Sequence, residues 1–184
     1  MTSSPYAIDM LTAYDPLDGW DRFVDDSPQG CIFCRSWWLH AVCGDSFRIL
    51  ILHKGGRIVA GIPLPLRRRF GFNVVSMPQL TQTLGVLLGK PTKTTYRGVL
   101  TDEMGVQNEL VSRLPRLDYF KLNFRYSYTN WLPFYWAGYQ QTTRYTYVIP
   151  DLRDLDRVFS NFSLPKRKQI DKAAGLVKAQ TGLS

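Results

Sequence analysis

The sequence predicts a layered α/β or α+β domain, with helices packed on a mostly antiparallel sheet and one parallel strand pair around a middle helix. Three observations carry that expectation. Two strand-like runs, FRILILH and RIVAGIPLPL, flank Lys54-Gly55-Gly56; glycines between such runs signal a hairpin because they accept the left-handed backbone of a tight turn. Val106, Leu110 and Leu114 recur every fourth residue, lining one face of a helix. Tyr119, Lys121, Asn123 and Arg125 alternate with Phe120, Leu122, Phe124 and Tyr126, the period of a half-buried strand. Strands and helices interleaved in this way bury their apolar faces as packed layers.

SWWLHAVC, residues 36–43, is a short helix with Ser36 as cap and Gly44 as stop, its aromatics anchoring the core. The hairpin follows. FNVVSMP around Val74 and LGVLLG around Val86 are strand-like, and a polar, Gly- and Pro-rich connection runs from Lys90 to Gly98. Thr101 caps the amphipathic helix, Asp102 and Glu103 occupy its first turn, where the backbone dipole favours acidic groups, and Pro115 ends it. After DYFKLNFRYSY comes a further strand, RYTYVIP, ending at Pro150, and then a helix with Leu152, Leu155, Phe159 and Phe162 on one face.

The last segment is a basic helix. Ser163 can cap it and Pro165 suits its first turn. Ile170, Ala173, Ala174 and Val177 recur on one side, with Arg167, Lys168, Lys172 and Lys178 opposite. Only Thr181-Gly182-Leu183-Ser184 follows that apolar stripe, so either the helix packs back on preceding strands or a further domain follows; the second reading is preferred.

Composition bounds the function classes. At 184 residues, 45% apolar and 14% aromatic, the chain has the length of one domain and too much apolar surface for a disordered one. Its formal charge of +8 and pI near 9.5 attract polyanions without saying which. No run reaches the roughly 18 apolar residues of a membrane span, and the amino terminus lacks a signal-peptide pattern. The expected location is the cytoplasm. Three cysteines without a secretory signal point to reduced thiols and no disulfide.

Few residues carry a chemical motif. Cys31, Cys34, His40 and Cys43 are zinc-ligand types, but Trp37-Trp38-Leu39 would have to fit inside the ligand loop, so buried thiols are preferred. His40 and His53, the only histidines, lie in no nucleophile motif, and no pair of carboxylates is set for acid–base work. Arg67, Arg68 and Arg69 beside Phe70 and Phe72 suit a phosphate with a stacking ring, or a solvated hairpin end. Lys166, Arg167, Lys168 and Lys172 carry the same ambiguity. Tyr126, Tyr128, Trp131, Phe134, Tyr135 and Trp136 crowd one region with Asn123 and Arg125: a ligand cleft, or core packing plus a loop.

FRILILHKGGRIVAGIPLPL resembles the early hairpin of GNAT-type acyltransferases. Continued through SMPQLTQTLGVLLG, RYTYVIPDL and LPKRKQIDKAAG, the chain resembles the first half of the FemAB-like proteins, in which two GNAT-like domains stand in tandem. The resemblance runs from Trp20 to the end, and its most specific piece is the basic helix ending in Lys172-Ala173. It implies a GNAT-like domain over residues 1–162, with residues 163–184 leading toward a second domain. It also implies N-acyl transfer to an amine, often on a cell-wall precursor, with acyl-CoA or aminoacyl-tRNA as donor. The chain carries no Gln/Arg-x-x-Gly-x-Gly/Ala turn to cradle a pyrophosphate, so no cofactor is expected on this chain itself. The candidate substrate-binding set is Arg67, Arg68, Arg69, Lys166, Arg167, Lys168, Lys172, Arg125, Trp131 and Tyr135, with the catalytic residues left open and no metal. Expected partners are an anionic small molecule, a cell-wall precursor or tRNA, and a second domain or homo-oligomer partner. The alternatives are a basic nucleic-acid-binding module and a non-catalytic interaction domain.

Overall fold

A computed structural model of the chain describes residues 4–149 and 151–177. The chain forms two compact units, Met1–Gln141 and Thr142–Ser184. The first unit contains β1 (Ala7–Thr12), α1 (Asp18–Asp26), a 3₁₀ turn (Ile32–Cys34), α2 (Ser36–Cys43), β2 (Arg48–Lys54) and β3 (Arg57–Leu64). It continues with β4 (Leu66–Arg69), β5 (Phe72–Ser76), β6 (Leu87–Leu88), α3 (Tyr96–Ser112), β7 (Tyr119–Lys121) and α4 (Leu132–Trp136). The second unit holds α5 (Leu155–Ser160) and α6 (Leu164–Ala174). The architecture is mixed α and β, with antiparallel and mixed sheets flanked by helices.

One ladder runs β1-β2-β3-β6, antiparallel throughout. The second runs β4-β5-β7, with β4 and β5 antiparallel and β5 and β7 parallel. Only Pro65 separates β3 from β4. The crossover from β5 to its parallel neighbour β7 passes through β6 and α3, so the expected parallel pair around the middle helix is present. The expected hairpin is present too: Lys54 pairs with Arg57, and Gly55 and Gly56 have φ of +57° and +74°, the left-handed geometry that matches the strand twist.

Alternation along β2 explains its continuous apolar run. Ile49 and Ile51 pack with Trp20, Phe23, Leu39 and Phe47, whereas Leu50 and Leu52 pack with Ile62, Leu64, Leu110 and Phe134. Side chains that point to opposite faces thus enter two different cores, one under α1 and α2 and the other under α3 and α4. Each buried aliphatic side chain contributes about 1.5–3 kcal/mol by leaving water. Trp20 lies across Gly61, where a Cβ would come within 2.5 Å of the indole, and its Nε1–H donates to the Cys34 carbonyl at 2.8 Å.

Several local expectations change. β1 and α1 have no counterpart in the sequence reading. Ser36 opens α2 but does not cap it; Asp21 of α1 reaches across to accept from the Ser36 N–H at 2.8 Å and its hydroxyl at 2.5 Å. The helix expected from Thr101 begins at Tyr96, because Thr95 accepts from the Gly98 N–H at 3.2 Å. Asp102 and Glu103 therefore sit in its second turn, and the connection from Lys90 ends before Tyr96. The strand expected over 119–126 stops at Lys121; beyond it the Asn123 carbonyl accepts from the Leu84 N–H at 2.7 Å, outside any regular ladder. The strand near Val86 is reduced to Leu87–Leu88.

The second unit also departs from expectation. Residues 144–149 form no strand, and Tyr145 and Tyr147 are fully exposed, since no ladder pairs with them; Pro150 lies outside the described residues. Leu152 and Phe162 fall outside α5, and Leu152 and Leu155 face solvent. α6 forms as expected up to Ala174, with Pro165 in its first turn; Val177 lies past its end and Lys178 outside the described residues. No residue of α6 is buried, and Ser163 makes no side-chain cap bond.

Candidate functional site

The structure distributes the sequence-predicted residues over three places in the first unit and one helix of the second. Arg67, Arg68 and Arg69 form the outgoing arm of the β4–β5 hairpin, all exposed, and none makes an ion pair among the described residues. Arg69 pairs with Phe72, so Phe70 and Gly71 are the two turn residues, with φ of +50° and +85°. A non-glycine residue in that region costs about 1–2 kcal/mol. Phe70 is 88% exposed and Phe72 58%, and the Arg69 guanidinium lies 5.6 Å from the Phe70 ring centroid. The returning strand is tied opposite Arg68: the Asn73 N–H donates to the Asp118 carboxylate at 2.7 Å, and the Asp118 N–H donates back to the Asn73 carbonyl at 3.0 Å. The hairpin thus presents three guanidinium groups, none of them ion-paired among the described residues, and two exposed rings.

Arg125 stands apart from that arm. It donates to the Gly30 carbonyl and stacks 5.6 Å from the Tyr126 ring, so it clamps the loop preceding the 3₁₀ turn. Trp131 and Tyr135 meet edge to face at 5.5 Å at the start of α4. The aromatic crowd expected as one cluster divides. Phe134 is buried and packs with Phe120, Phe124 and Tyr139, whereas Tyr126, Tyr135 and Trp136 are exposed. Lys166, Arg167, Lys168 and Lys172 lie on α6, in the second unit.

Two groups escaped the sequence reading. A polar set lies where α3 meets the aromatic core: the Tyr128 hydroxyl donates to Gln107 Oε1 at 2.6 Å, and the Gln107 Nε2, in a side chain only 1% exposed, has no partner. Burial raises the Glu103 carboxyl above its usual range, and burial followed by the Glu103 charge raises the Tyr128 hydroxyl. The second group lines a cleft of about 410 Å³ at the amino end of α3, formed by Tyr6, Lys93, Thr95, Arg97, Gly98, Thr101, Asp102 and Gly105. Lys54 borders it, 3.8 Å from Asp102 and 5.4 Å from the Tyr6 ring. The signal for that cleft was Thr-Tyr-Arg-Gly at 95–98, a cap followed by a helix start carrying a cation.

The four zinc-type residues do not converge. Cys31 and Cys34 face each other at 3.7 Å between sulfurs, His40 packs edge-on to Phe47 at 5.1 Å, and Cys43 is buried near Arg67. Among the described residues no group of three or more His, Cys, Asp or Glu side chains could hold a metal ion. His53 pairs with Asp9 at 2.9 Å on the β1–β2 ladder. No described helix is long and apolar enough to cross a membrane. No family model, curated protein or solved structure matches the chain.

Proposed function

We propose that this chain is the N-terminal, GNAT-like half of a FemAB-like N-acyltransferase and that its β4–β5 arm contacts the anionic part of the acceptor. The observation that carries this reading is the topology. An antiparallel β1-β2-β3-β6 ladder, helices on both faces and, in a second sheet, a parallel β5–β7 pair reached by way of α3 support the reading as a mixed, mostly antiparallel α+β architecture of the broad class that such a domain requires. Acyl transfer to an amine depends on holding the nitrogen against an activated acyl carbon, with orientation and electrostatics supplying most of the effect. Arg67, Arg68 and Arg69 suit the holding role, because guanidinium groups not already paired bind phosphate oxygens in bidentate fashion. The donor, acyl-CoA or aminoacyl-tRNA, belongs to the complete enzyme in this reading.

The test is formation of an amide by the complete two-domain enzyme on an amine-bearing cell-wall precursor supplied with labelled acyl-CoA or aminoacyl-tRNA. Changing Arg67, Arg68 and Arg69 to Gln is expected to raise KM for the acceptor roughly 10- to 100-fold, the effect of losing one or two charge-assisted contacts. Absence of amide product with both donor classes rejects the reading. The exposed Phe70 and Phe72 beside those arginines favour a second reading, a single-stranded nucleic-acid binder, in which bases stack on the rings. That case predicts binding to unrelated oligonucleotides whose logarithmic salt slope falls by about 2 when the three arginines are replaced.

A further inference from the structure

Cys31 and Cys34 end a single tight turn. The Cys34 N–H donates to the Cys31 carbonyl at 3.0 Å, and the two sulfurs stand 3.7 Å apart. Their surroundings differ. Cys34 is 2% exposed, and its backbone carbonyl accepts from the core indole of Trp20. Cys31 is only partly buried and opens onto a cleft of about 430 Å³ lined with Val24, Asp25, Gly30, Ile32, Arg35 and Trp37. Its sulfur also lies 3.8 Å from the Thr83 hydroxyl, and Arg125, which clamps Gly30, adds positive charge nearby.

We propose that Cys31 and Cys34 form a reversible dithiol–disulfide pair, oxidised through this cleft by small-molecule disulfides, with Cys31 as the attacking sulfur and Cys34 as the resolving one. The assignment of roles follows from access and from charge. The hydrogen bond from the Cys34 thiol, then those from Thr83 and the Phe33 backbone, outweigh burial and bring the Cys31 thiol down to about 6. The same hydrogen bond and burial push Cys34 far up, so the proton stays on the inner sulfur while the outer one reacts. In the first step the Cys31 thiolate attacks one sulfur of RSSR, forming the Cys31–SR bond and releasing RS⁻. Cys31 is then no longer an anion holding the Cys34 proton. Cys34 gives that proton to the departing thiolate or to solvent and attacks the Cys31 sulfur, forming the internal disulfide and expelling the second RS⁻. The protein loses two electrons and two protons, and RSSR becomes two RSH. Acyl transfer plays no part in this chemistry, so the pair stands whether or not the proposed function does.

The probe is glutathione disulfide at pH 7 on the intact chain. The expected result is loss of two free thiols and two hydrogen atoms of mass, a Cys31–Cys34 link in the peptide map, and reversal by dithiothreitol. Cys34→Ser should trap one glutathionyl group on Cys31, and Cys31→Ser should leave Cys34 and Cys43 unmodified. Oxidation that instead labels Cys43 or joins two chains overturns the proposal, as does equal reactivity of the two variants. Should either variant not fold, alkylation of the unaltered protein followed by peptide mapping decides. Cys31 should label with a midpoint near pH 6 and, at that pH, about tenfold faster than a free thiol, the gain in thiolate fraction less the loss of nucleophilicity. A midpoint in the ordinary thiol range overturns it.

Discussion

The Gln107–Tyr128 pair allows a test in which one substitution harms the protein and a second repairs it. Tyr128→Phe removes the hydroxyl that donates to Gln107 Oε1 at 2.6 Å. Gln107 is 1% exposed and its Nε2 already lacks a partner, so the substitution leaves the whole amide unpaired in an apolar core. An orphaned buried acceptor costs about 1–3 kcal/mol. With a urea slope near 2 kcal/mol/M for a chain of this size, the midpoint should fall by about 0.5–1.5 M. Adding Gln107→Leu to Tyr128→Phe removes both stranded amide atoms and replaces them with a side chain that suits Val106, Leu110 and Phe134. The double variant should therefore be more stable than Tyr128→Phe alone, with a coupling energy of about 1–2 kcal/mol from the cycle. Urea unfolding followed by circular dichroism gives all four values. A Tyr128→Phe effect below about 0.3 kcal/mol, or a double variant weaker than both singles, would refute the claim that this amide depends on one hydroxyl.

Four further outcomes are expected. Gly61→Ala sets a methyl 2.5 Å from the Trp20 ring and should cost about 1–3 kcal/mol by overpacking, with a red shift in tryptophan emission as the indole moves. Thr95→Ala removes the cap of α3 and should lower stability by about 1 kcal/mol in thermal unfolding, an effect Thr101→Ala should not reproduce. Replacing Arg67, Arg68 and Arg69 with Gln, which breaks no ion pair among the described residues, should leave the melting temperature nearly unchanged while shortening retention on heparin. The Cys31 thiol is depressed in the fold from the ordinary 9.0 to about 6. Its contribution to stability is therefore full above about 9 and is lost as pH falls through about 6. The stability of the reduced protein relative to Cys31→Ser, measured in urea across that interval, should rise with pH.

The amino-acid order alone determined the β2–β3 hairpin, the helix α2, the amphipathic character of α3, the parallel pair around it and the basic helix α6. Each of these rests on forces local in sequence: Gly55 and Gly56 relieve backbone strain at the turn, and Val106 and Leu110 fall on one face because a helix repeats every 3.6 residues. The exposed RRRFGF arm was legible for the same reason, since a charge run bordering a glycine resists burial. Only the tertiary structure decided what depends on distant partners. Asp21 caps a helix fifteen positions away. The apparent strand beyond Lys121 dissolves because Leu84 and Met77 capture the Asn123 backbone. RYTYVI, with a good strand pattern, forms no strand because alternation describes a face and not a neighbouring strand to receive it. Arg125 and Tyr135 came from one aromatic-rich stretch, yet the fold turns the first toward Gly30 and the second toward solvent. The Cys31–Cys34 pair shows the same division. Spacing put two thiols within one turn, but the burial of one sulfur, the cleft beside the other and the hydrogen bond between them arise from packing, and these fix which sulfur carries the charge.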